Sequence, residues 1–321
     1  MAHIHILHEN DEWTAPLLAA LERRGLPYAD WHLARGSLDL SAPPPPGVFY
    51  NRMSASSHTR GHRYAPEHTA CVLSWLEAHR RRVVNDSRAL ALELNKVAQY
   101  AALGAHGIRT PRTIAAVGRE DLIAAARMMD GAFITKHNRA GKGLGVRLFH
   151  EPRALAEYVQ GPDFEPSVDG VTLVQQYIEA PEPFITRIEF VGGRFLYAVR
   201  VDTSEGFELC PADHCQADGD LCSAGEAVPA AKFEIIAGFR HPLVRRLEGF
   251  LGRHGIEIAG VEFIVDGEGE AYTFDINTNT NYNGAAEARA GRSGMEAIAA
   301  FLGRELSSEV AAGAAYLSAA E

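Results

Sequence analysis

The stretch Val261-Glu262-Phe263-Ile264-Val265, followed by the acidic turn Asp266 to Glu270 and then Ala271-Tyr272-Thr273-Phe274-Asp275-Ile276-Asn277, constrains this chain most. Two β-branched and aromatic runs flanking a short Gly-containing turn predict an antiparallel strand pair. Side chains alternate along a strand, so Asp275 and Asn277 share a face and Glu262 comes within range from the facing strand. Phe263, Ile264, Phe274 and Ile276 are expected to bury the other face. Two carboxylates and an amide oxygen make a hard-oxygen site suited to Mg²⁺ bound together with substrate phosphates. The competing reading is an ordinary hairpin carrying solvated acids.

At 321 residues the chain is long enough for about two folding units of roughly 100–200 residues each. Hydrophobic residues make up 46% and charged residues 22%, which excludes wholesale disorder and fibrous repeats. The net charge of −10 argues against nucleic acid as a partner, because that affinity rests on basic surface. Four cysteines, Cys71, Cys210, Cys215 and Cys222, are too few and too unevenly spaced for a disulfide framework, which fits a reducing compartment. The amino terminus lacks a basic segment leading into an apolar run, and nowhere do about 18 apolar residues run together. A cytoplasmic chain with no membrane partner is expected.

The beginning of the chain alternates at His3 to His8 and turns helical over Ala15 to Arg24, a strand-then-helix start. Pro43 to Pro46 must be extended, Val48 to Tyr50 reads as a strand, 67–79 as a helix, and Arg80 to Asn85 leads into another strand. One helix is expected from Ser87, as its N-cap, to Ala105. Ala132 to Lys136 and Val146 to Phe149 are strands joined by a glycine-rich tip. Further strands are expected at 171–178, 185–191 and 195–202, with one or two closing helices after Gly294. The implied division is 1–88 as a small open α/β domain, with 89–175 and 176–321 after it.

The tip Gly141-Lys142-Gly143-Leu144-Gly145 matches neither a Walker loop nor a dinucleotide fingerprint, both of which lie between strand and helix. Its bare backbone N–H groups could close over phosphates, or form a mere turn. Lys136 ends an apolar strand, where a cation needs either solvent or an anion. Cys210, His214, Cys215 and Cys222 could hold zinc, although their spacing matches no familiar zinc motif. Arg52, His58, Arg60, His62 and Arg63 form a basic loop that could attract an acidic substrate or simply be solvated. His3, His5 and His8 read as structural or exposed.

Over about residues 85–303 these motifs, in this order, resemble the ATP-grasp superfamily, specifically the RimK-type α-L-glutamate ligases and related carboxylate–amine ligases. The stretch from Asn85 through Lys96 and on to Gly107-Ile108-Arg109-Thr110-Pro111-Arg112-Thr113 is similar to the family's lysine-bearing helix and the turn after it. Lys136 resembles the second ATP lysine, and Gly141, Lys142 and Gly143 lie in what resembles the flexible lid. Gln175, Gln176, Tyr177 and Ile178 are similar to the segment that holds adenine through backbone groups, and Glu182 falls where relatives place a ribose-binding carboxylate. Arg187 matches the arginine beside the transferred phosphoryl group, with Arg200 at a nearby basic position; Glu262, Asp275 and Asn277 match the metal triad. The resemblance implies an α/β (α+β) ATP-grasp fold behind an N-terminal open α/β pre-ATP-grasp domain. It also implies ATP and two Mg²⁺ ions, replaceable by Mn²⁺, as cofactors.

Three departures stand out. Asp275 is one methylene shorter than the family's usual Glu, Thr278 to Gly284 replaces a small, Pro- and Gly-containing segment, and Ile185 stands where relatives often carry an acid. A glutamate preference is therefore not carried over. The activity implied is ATP-dependent joining of a carboxylate to an amine of an amino acid, peptide or protein end, through an acylphosphate. The alternatives are a nucleotide-binding regulatory protein without turnover and a small-molecule kinase on the same fold; homo-oligomerisation is left open.

Overall fold

The structure, a computed structural model, describes residues 2–141, 143–204, 206 and 232–320. Cys210, His214, Cys215, Cys222 and Lys142 lie outside the described residues.

The opening alternation forms β1 (His3–His8), and Asn10 then caps α1 (Asp11–Arg23) by accepting a hydrogen bond from the Trp13 N–H at 3.0 Å. Next come β2 (Tyr28–His32), β3 (Gly47–Asn51), α2 (Ala65–Ala78) and β4 (Arg82–Val84). They make a parallel sheet in the order β2-β1-β3-β4. The sequence pattern missed β2 because it is a half-exposed edge strand whose polar residues mask the alternation. Gly47 enters β3 at φ +138°, and a Cβ there would sit 2.0 Å from the His3 carbonyl oxygen, so only glycine lets the proline run join the sheet.

The expected single helix from Ser87 to Ala105 is two, α3 (Ser87–Glu93) and α4 (Lys96–Ala105). Asn95 sits between them in extended conformation and caps the second by accepting from the Ala98 N–H. The first is capped by Asp86 rather than Ser87. This break sets Lys96 in the first turn of its helix.

A second sheet follows from β5 (Thr113–Ala116), α5 (Arg119–Arg127), β6 (Phe133–His137), β7 (Arg147–Phe149), α6 (Pro152–Gln160) and β8 (Thr172–Gln176). Its order is β5-β8-β6-β7, all antiparallel, and the glycine-rich tip joins β6 to β7 as predicted. The third sheet contains β9 (Phe184–Val191), β10 (Arg194–Asp202) and β11 (Phe233–Ile235), then α7 (Pro242–Arg253), β12 (Ile258–Val265) and β13 (Ala271–Asn277). Its order is β11-β10-β9-β12-β13. The tail forms α8 (Gly284–Ala290) and one long α9 (Gly294–Ala320). Ile298, Phe301, Leu302 and Leu306 of α9 join the core of the parallel sheet to that of the third sheet, so these two sheets are held in one hydrophobic cluster. No helix among the described residues is long and apolar enough to cross a membrane.

Candidate active site

Three adjacent strands of the third sheet place one charged rung. Arg187 of β9 pairs in register with Glu262 of β12, and Glu262 with Asp275 of β13. Directly opposed residues in a sheet lie with side chains on one face, close enough to interact. The register shifts just after Glu262, where Phe263 pairs with Thr273, so Phe274 is the extra residue of a bulge. The bulge corrects the expected burial pattern: Phe263 and Ile276 are buried in the core, whereas Ile264 and Phe274 form an apolar wall of the central cavity.

Arg187 is fully engaged. Its Nε donates to Glu189 Oε1 at 2.6 Å, Nη1 to Glu262 Oε1 at 2.9 Å, and Nη2 to Thr280 Oγ1 at 2.6 Å. Gly260 makes room for it, since a Cβ there would lie 2.5 Å from the guanidinium. Burial pushes the Glu262 and Glu189 carboxyls up, against the pull of Arg187. For Asp275, burial is outweighed by the ammonium groups of Lys96 and Lys136, and the carboxyl is held below its ordinary range. The Lys96 Nζ lies 2.5 Å from Asp275 Oδ1. Lys136 Nζ donates to the Phe274 carbonyl at 3.0 Å and to the Tyr100 hydroxyl at 3.4 Å.

These groups surround a cavity of about 200 Å³. Gln175, Gln176, Tyr177 and Ile178, running out of β8, line one side, and Gly141 and Gly143 lie over it. Lys136, Arg187, Glu262, Asp275 and Asn277 line the floor. Lys96 touches this floor through Asp275. Arg200 and Glu182 pair with each other at 3.3 Å and do not line the cavity. Asn277 faces the cavity, and its amide makes no hydrogen bond among the described residues. An ionised Asp275, a second carboxylate and a disengaged amide oxygen fit Mg²⁺ as a ligand set.

Several contributors carry no sequence signal. Gln99 fixes β13 by accepting from the Ile276 N–H and donating to its carbonyl. Glu93, its carboxyl raised by burial, accepts from the Thr278 and Ala55 backbone N–H groups and so ties the loop after Asn277 to the parallel-sheet unit. Trp13, Ser54 and Ser56 also line the cavity, with Ser56 beside Gly141. Helical periodicity could have flagged Gln99 and Glu93 as buried polar positions, but not their partners.

The basic loop is not a solvated patch. Arg60 and His62 both bind Glu9, Arg63 binds Glu67, and Arg52 is buried against Asn279 and Asn281. The early histidines are structural: His5 stacks on Phe49, and His8 engages Asp30 and the Asn10 N–H. His8, Asp11 and His32 bring one ligand atom each within 4.8 Å of one another.

No protein-family model matches the chain, and no curated protein matches it. Solved structures do. A RimK-domain ATP-grasp protein from Sphaerobacter thermophilus is 19% identical, with 94% of this chain and 99% of that one covered and a TM-score of 0.64. The ATP-grasp ligase PsnB, complexed with a minimal precursor, Mg and ADP, is 15% identical over 94% and 97% with a TM-score of 0.64. D-alanyl-alanine synthetase A from Vibrio cholerae is 13% identical over 95% and 98% with a TM-score of 0.63. With the similarity running over nearly the whole chain, this protein has the ATP-grasp fold, RimK-like in architecture.

Proposed function

We propose that this protein is an ATP-dependent carboxylate–amine ligase working through an acylphosphate. The carrying observation is the convergence of Lys96, Lys136 and Arg187 on the Glu262–Asp275 rung, beneath a glycine-rich hairpin. In this reading residues 1–88 form the pre-ATP-grasp unit, and 89–175 and 176–321 the two units that clasp the nucleotide. Adenine lies against Ile264 and Phe274 and along the Gln175–Ile178 backbone. Glu182 and Arg200, outside the cavity lining, serve the ribose and the outer phosphate edge.

Magnesium held by Glu262, Asp275 and Asn277 would supply Lewis-acid stabilisation of charge on the β- and γ-phosphates. The chain's own part is positioning and charge. Lys136 and Lys96 attract phosphate oxygens, and Arg187, locked by Glu189 and Thr280, offers a guanidinium that does not reorganise as charge moves to the phosphoryl oxygens. A carboxylate oxygen attacks the γ-phosphorus and ADP leaves; the amine then attacks the acyl carbon and phosphate leaves. Water would hydrolyse the intermediate, which is the physical reason for a lid over residues 138–145. The solved relatives that carry a precursor, Mg and ADP, or that make D-alanyl-alanine by name, support amino-acid or peptide substrates. The test is Mg-dependent ADP release over pairs of carboxylates and amines, with hydroxylamine as a substitute amine. Hydroxamate formation is the expected result; a stable phosphorylated product without amide would favour a kinase, and no turnover despite nucleotide binding a regulatory protein.

A further inference from the structure

Arg52 is 1% exposed, and among the described residues no carboxylate lies within ion-pairing distance of it. Its Nη2 donates to Asn281 Oδ1 at 2.9 Å, its Nε to Asn279 Oδ1 at 3.3 Å, and its Nη1 faces the Met295 sulfur. Burying a cation without a counter-charge is costly, and burial lowers the Arg52 pKa. An arginine can only donate, so both asparagines must turn their carbonyl oxygens to it and their NH₂ groups away. Both side chains line the cavity, and neither NH₂ group has a hydrogen-bond partner among the described residues.

The loop alternates. Thr278 and Thr280 point to Glu93 and to Arg187 with Glu189, while Asn279 and Asn281 point to Arg52. Two free amide donors backed by a buried positive charge suit one planar monoanion. Trp13, Ser54 and Ser56 line the same cavity, with Ser56 beside Gly141 of the glycine-rich tip.

Building on the ligase reading, we propose that Asn279, Asn281 and Arg52 seat a carboxylate that is not consumed, and that the amine substrate is therefore a free α-amino acid. The reacting carboxylate occupies the Arg187 side, and the seated one balances Arg52. The experiment uses the full chain saturated with Mg²⁺ and the non-hydrolysable nucleotide AMPPNP, titrated with the α-amino acids, their α-amides and inorganic phosphate, and followed by thermal shift and calorimetry. At least one amino acid should bind while its amide binds at least tenfold more weakly. Asn279→Ala and Asn281→Ala should each lose that preference while AMPPNP affinity stays within about twofold. Equal binding of acid and amide, phosphate binding as tightly as the amino acid, or AMPPNP binding with no amino-acid response overturns the inference alone. Failure of AMPPNP to bind overturns the nucleotide reading and this inference with it. Each single variant leaves Arg52 one of its two asparagine acceptors, and the retained AMPPNP affinity shows that the variant is folded.

Discussion

Asp275 touches Lys96, faces Glu262 across the strand pair and lies one residue from Phe274, whose carbonyl holds Lys136. Asp275→Asn and Asn277→Ala are each expected to abolish Mg-dependent ADP formation, with far-UV circular dichroism unchanged, because the developing phosphate charge loses its compensation. Near-normal turnover in either would remove the metal assignment. Lys136→Ala should weaken AMPPNP binding as well as turnover, since a lysine on the cavity floor contributes in the ground state; unchanged calorimetric affinity would contradict its role. Arg187→Met leaves Glu189 and Glu262 buried without their cation and should cost about 3–5 kcal/mol of stability in urea unfolding. Strand alternation made Glu262, Asp275 and Asn277 legible in the sequence, because period-2 patterning fixes which side chains share a face. It did not show the bulge at Phe274, and with it the apolar wall, because one extra residue in a ladder leaves no mark on composition. Nor could it show Arg52, whose meaning comes from burial against residues more than 200 positions away.

The glycine-rich tip is held at its base by Thr135, whose hydroxyl donates to the Gly145 carbonyl, and by packing of Gly145 against His137. Gly145 has φ +72°, and a Cβ there would lie 2.2 Å from the His137 ring. Gly145→Ala should therefore lower the unfolding temperature by about 2–4 °C and raise the KM for ATP, as the hairpin is pushed off its seat. A variant with unchanged ATP kinetics would mean that the tip does not cover the nucleotide. Arg139, at the foot of the same hairpin, binds Glu67 of α2 at 2.7 Å and so ties hairpin to parallel sheet. Burial alone would raise the Glu67 carboxyl, but the Arg139 and Arg63 guanidinium groups hold it at about 2. A carboxyl depressed in the folded state contributes stability that is present in full above its unfolded value, near 4.5, and lost as pH falls toward about 2. Glu67→Gln should therefore flatten the stability loss of the protein between pH 4.5 and 2.5, measured by urea unfolding; an identical slope in the variant would contradict the pairing. Hairpin and tip were legible because glycines between two β runs leave few alternatives. The split of α3 from α4 was not, since the Asn95 cap competes with a helical periodicity that continues on both sides.

The cavity is assembled from the units built on all three sheets: Trp13 of α1 with Ser54 and Ser56 of the loop after β3 from the first, the hairpin and the Gln175–Ile178 segment from the second, the charged rung from the third. The α/β class and the motifs that line the cavity were readable along the chain. The junction was not, because the face of α9 that joins the first and third sheets follows from tertiary packing that periodicity alone does not direct. That junction brings Arg52 to Asn279 and Asn281, so alternate residues of one loop meet Arg52 and Arg187. The central claim, activation of a carboxylate by phosphoryl transfer, is tested most directly by isotope transfer with a carboxyl-¹⁸O substrate, an amine, ATP and Mg²⁺. The oxygen that attacks the γ-phosphorus departs with it when the amide forms, so one labelled oxygen should appear in the released phosphate, read by mass spectrometry. Amide formed together with unlabelled phosphate would contradict the account.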